Sequence, residues 1–85
     1  MEVKGSNLDF ALVVGSALRY GLGRRTYITG AISKFIIDNI KLIPNDQKLV
    51  MIRDIKDKEY YGDDCDKENW MKLLAELEKS VDNVN

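Results

Sequence analysis

Arg19-Tyr20-Gly21-Leu22-Gly23-Arg24-Arg25-Thr26-Tyr27 lies between two strongly apolar segments, and its two glycines make it the corner on which the fold turns. Glycine readily takes the left-handed conformation that ends helices, so Gly21 and Gly23 divide the apolar segments into separate helices. The same stretch gathers three of the four arginines and two of the four tyrosines. Guanidinium forks beside the N–H groups of a starting helix can face one ligand, which is the chemistry of an anion site.

Upstream of the corner, Ser6 or Asn7 is expected to cap a first helix with Leu8, Ala11, Leu12, Gly15 and Leu18 at helical spacing. Phe10, Val13, Val14 and Ala17 cover much of its other side, so this helix is apolar nearly all round and is expected to be central or packed against another subunit. Downstream, Thr26 or Thr29 serves as N-cap of a second helix carrying Ile32, Phe35, Ile36, Ile40 and Ile43, closed by Pro44. Tyr27-Ile28-Thr29, with its β-branched isoleucine and threonine, also suits a short extended piece.

Pro44-Asn45-Asp46 opens a third helix, with Leu49, Val50, Ile52 and Ile55 expected inward and Lys48, Arg53, Asp54, Lys56, Asp57, Lys58 and Glu59 on a solvated face. After a loop over residues 60–66, Asp66 caps a fourth helix whose Trp70, Leu73, Leu74, Leu77 and Val81 form one buried stripe. The expectation is a compact all-α domain of four helices spanning residues 1–85. A chain of 85 residues buries a limited core, so assembly into a homo-oligomer is expected too.

Charge is unevenly spread. Residues 1–43 carry six basic and three acidic side chains, a net of +3, whereas residues 44–85 carry seven and eleven, a net of −4. The acidic half disfavours extended nucleic-acid binding, and any anion is expected to bind locally. No apolar run is long enough for a membrane span, the first residues lack the regions of a signal peptide, and Cys65 has no cysteine to pair with. A cytoplasmic location is expected.

The candidate ligand-binding set is therefore Arg19, Tyr20, Arg24, Arg25, Thr26 and Tyr27. Arginine binds phosphate or carboxylate bidentately and tyrosine offers a stacking face and a hydroxyl, a combination suited to a phosphorylated nucleotide. The competing structural reading pairs the arginines with carboxylates of the last helix and packs the tyrosines at the edge of the core. Gly21-Leu22-Gly23 lacks the further glycine and lysine of established phosphate loops. Asp63, Asp64, Asp66 and Glu68 do not follow the alternating ligand series of a calcium loop and read as helix-capping charge, with Asp63 and Asp64 a candidate partner contact. The chain has no histidine, which removes Cys/His and Ser/His catalysis and the usual zinc sites, so no catalytic residue, metal or cofactor is assigned.

The stretch from Ala17 to Ile28, followed by Gly62-Asp63-Asp64 and Trp70, resembles a group of small phage- or prophage-encoded proteins of Firmicutes. That resemblance implies a counter-defence context: sequestration of a nucleotide signal in the host cell, or inhibition of a host defence protein such as a CRISPR nuclease. The first expectation is a non-enzymatic nucleotide-binding protein using the Arg/Tyr corner. The second is a protein–protein inhibitor using the acidic C-terminal half. The third, a helix–turn–helix DNA-binding protein, suits the glycine corner, but the helix after it is too apolar to read bases.

Overall fold

A computed structural model describes residues 9–57 and 66–82, which form four α-helices and no strand. They are α1 (Phe10–Arg19), α2 (Thr26–Asp38), α3 (Asn45–Lys56) and α4 (Lys67–Asp82), with short 3-10 turns at Leu22–Arg24 and Ile40–Leu42. The all-α, four-helix architecture matches the periodicity of the apolar residues.

Helix α1 starts later than its apolar run suggests. The expected caps, Ser6 and Asn7, lie outside the described residues. Capping falls to Asp9, whose side chain accepts from the Leu12 N–H at 3.0 Å. Gln47 of α3 supplies the rest: its Oε1 accepts from the Phe10 N–H at 2.7 Å and more weakly from Ala11 at 3.4 Å. The first three orphan donors of α1 are thereby satisfied. The helix buries Phe10, Ala11, Val14, Gly15, Ala17 and Leu18, while Leu12 turns outward and is 61% exposed. At the other end Gly21 adopts φ 84°, a left-handed turn that redirects the chain. Gly23, the other expected stop, sits inside the 3-10 turn and has no positive φ.

Residues 27–29 are helical, so the extended alternative is set aside. Neither threonine caps α2: Arg25 holds the cap position with no side-chain bond, and Thr29 is buried one turn inside. The helix also ends at Asp38, well before Pro44. Asn39 stops it by donating from Nδ2 to the Phe35 carbonyl at 2.8 Å, and the 3-10 turn fills the remaining distance.

Helix α3 corrects the expected inward face. It buries Lys48, Met51, Asp54 and Ile55; Val50 and Ile52 are half-buried and Leu49 is exposed. The reason is position: α3 packs against both α1 and α4, so two neighbours set its buried arc. Its two buried charged side chains each meet a polar group, a hydroxyl for Lys48 and a guanidinium for Asp54. Lys48 Nζ donates to Ser80 Oγ at 2.6 Å, and Arg53 donates to Asp54 Oδ1 from Nη2 at 3.1 Å and Nε at 3.3 Å. The other Asp54 oxygen stands only 3.2 Å from where a Cβ on Gly15 would be, so the missing side chain lets α1 and α3 approach.

Helix α4 buries Trp70, Leu73 and Leu77 of the expected stripe fully, while Leu74 and Val81 are half-buried. Each large apolar side chain so buried contributes about 1.5–3 kcal/mol of transfer free energy. The helices pack in the spatial order α1, α3, α4, α2, and α1 and α2 touch only slightly. Among the described residues no helix is long and apolar enough to cross a membrane.

Candidate functional site

Gly21 carries the chain away from α1 into the 3-10 turn, so the next residues project from the body of the molecule. Tyr20 is 74% exposed and Tyr27 73% exposed, and Leu22, Arg24, Arg25 and Thr26 are exposed between them. No ion pair or side-chain hydrogen bond joins Arg24 or Arg25 to another described residue. The start of α2 has neither a side-chain cap nor an acidic residue in its first turn. Its outer side therefore combines two guanidinium groups with the positive end of a thirteen-residue helix.

The inner side of the same helix start is different. Thr29 Oγ1 donates to the Asp66 carboxylate, and Asn69 Nδ2 donates to it at 2.7 Å. The Thr29 bond, followed by the Asn69 bond, holds the Asp66 carboxyl below the ordinary aspartate range. Asp66 thus fastens α4 to α2 as well as capping α4, through a weak 3.5 Å contact to the Asn69 N–H.

The structure divides the expected set of arginines. Arg24 and Arg25 share the corner. Arg19 instead lines a groove of about 230 Å³ between α1 and α3, with Asp9, Leu12, Ser16, Arg53 and Asp54, and it is engaged within its own chain. A second groove of about 360 Å³, between α2 and α4, is lined by Ser33, Asn69, Lys72 and the exposed Lys34–Asp38 pair. Neither groove includes Tyr20, Arg24, Arg25 or Tyr27. The corner residues are exposed and line neither groove.

Asp63 and Asp64, the alternative partner contact, lie outside the described residues. Among the described residues no group of three or more carboxylates is placed to hold a metal ion. Sequence reasoning overlooked Gln47, the Thr29–Asp66 bond and the Lys48–Ser80 bond, because each joins residues more than thirty positions apart.

No family model, curated protein or solved structure matches this chain.

Proposed function

We propose that this protein is a non-enzymatic binding module that sequesters a phosphorylated nucleotide at the corner between α1 and α2. The carrying observation is that Arg24 and Arg25 lack any described acidic partner while flanking an uncapped helix start. Arg24, Arg25 and the first-turn N–H groups of α2 take the phosphates; Thr26, whose side chain hydrogen-bonds the Asp66 carboxylate, does not join them. Tyr20 or Tyr27 stacks on the base. Arg19, placed in the α1–α3 groove, has no phosphate role in this reading. The resemblance to small phage proteins supplies the context, removal of a signalling nucleotide during counter-defence.

The test is a thermal-shift panel of cyclic and linear adenine- and guanine-containing nucleotides. A bound member present at a hundredfold over Kd stabilises by about 2.7 kcal/mol, a rise on the order of 10 °C for a domain of this size. Arg24→Ala and Arg25→Ala each remove the rise. A silent panel overturns the reading.

A second reading is favoured by the exposure of the corner residues: an acidic surface of a host defence protein takes the place of the nucleotide. Exposed tyrosine and arginine are the residue types that dominate protein interfaces. Under it the nucleotide panel is silent, and co-purification with a defence protein is lost in the Arg24→Ala/Arg25→Ala double variant.

A further inference from the structure

Helix α1 presents a second exposed stripe, independent of the corner. Asp9, Leu12, Ser16 and Arg19 follow the spacing i, i+3, i+7, i+10 and all line the groove between α1 and α3. Leu12 is the large apolar member at 61% exposure, and Asp9 and Arg19 are exposed at opposite ends. They lie about 15 Å apart along the helix axis.

This stripe is complementary to itself when reversed. Laid antiparallel at the level of Val14, a second α1 sets its arginine beside Asp9, its aspartate beside Arg19, and its Leu12 opposite Ser16. Such self-complementarity about a two-fold axis is the requirement for an isologous dimer. The groove floor suits the insertion of a leucine, since Ala11, Gly15 and Val50 are its apolar lining. The groove also carries equal numbers of opposite charges, Asp9 and Asp54 against Arg19 and Arg53, so neither a purely anionic nor a purely cationic ligand matches it. Arg19 already has a partner in its own chain, and a guanidinium with five donors can serve a second carboxylate.

We infer that the α1–α3 groove is a homodimer interface in which the two α1 helices cross antiparallel, with Leu12 of each copy seated in the groove of the other. The exposed Leu12 and the reciprocal Asp9–Arg19 charges specify its register. The corner residues remain outside the contact, so the dimer stands or falls separately from nucleotide binding.

Sedimentation equilibrium over a dilution series tests this on the full chain. The wild type gives twice the chain mass and dissociates on dilution. Leu12→Lys halves the mass without loss of far-UV helicity, and the Arg24→Ala/Arg25→Ala variant keeps the dimer. Register is read by mixing Leu12→Cys with Ser16→Cys, both in a Cys65→Ser background: mild oxidation links the mixture several-fold faster than either variant alone. A wild type that stays monomeric throughout overturns the inference, as does a Leu12→Lys dimer or cross-linking no faster in the mixture.

Discussion

Gln47, in the first turn of α3, holds its Oε1 2.7 Å from the backbone nitrogen of Phe10, the first residue of α1. One side chain thus does for α1 what its own preceding residues do only in part. It also locks the angle between two helices that share a large interface.

Gln47→Ala leaves the Phe10 and Ala11 N–H groups without their acceptor. The expected loss is about 1–2 kcal/mol, the range for a helix cap or a part-buried hydrogen bond. Gln47→Glu retains the acceptor and adds a negative charge at a helix N-terminus, so it recovers most of the loss. Urea denaturation of the three proteins reads the order directly; equal midpoints would show that the bond contributes nothing.

The Thr29–Asp66 bond makes part of the stability pH-dependent. Because the folded Asp66 carboxyl is held below its unfolded value, its stabilisation is complete above the ordinary aspartate pKa of about 4 and disappears as pH falls through the lower folded value. Thr29→Val removes the main cause while keeping the shape. It is expected to cost about 1–2 kcal/mol near neutral pH and progressively less below about pH 4. Denaturation midpoints across that range are the measurement, and a pH-independent gap between the proteins contradicts the assignment.

Lys48 is buried against one described hydroxyl, Ser80, and pairs with no described carboxylate. Taking an ammonium out of water is costly, and an apolar side chain of similar length avoids that cost. Lys48→Met is therefore expected to be neutral or stabilising by about 1 kcal/mol. Ser80→Ala leaves the ammonium without its hydroxyl and destabilises by about 1–3 kcal/mol. Thermal unfolding of both variants decides the matter, and the reversed order is incompatible with an isolated buried charge.

Local chemistry accounts for what was legible before the structure. Trp70, Leu73 and Leu77 recur at helical spacing, so the buried side of α4 follows from periodicity, as does the cap at Asp66. The stop at Gly21 was equally plain, since its left-handed turn needs a residue without Cβ. The inward side of α3 was not legible. Leu49 looks like core and Lys48 like surface until Ser80, thirty-two residues away, is brought to the lysine.

By itself, then, the sequence determined the four helices of the described residues, where the first one turns away, and that arginine and tyrosine gather at that turn. These properties depend on residues within a few positions of one another. Only the tertiary structure decided which way α3 faces, that Asp66 ties α2 to α4, and that Arg19 leaves the corner for the α1–α3 groove while Arg24 and Arg25 stay. The physical reason is that burial and pairing of a polar side chain depend on the groups that packing brings near, and helical periodicity carries no information about them.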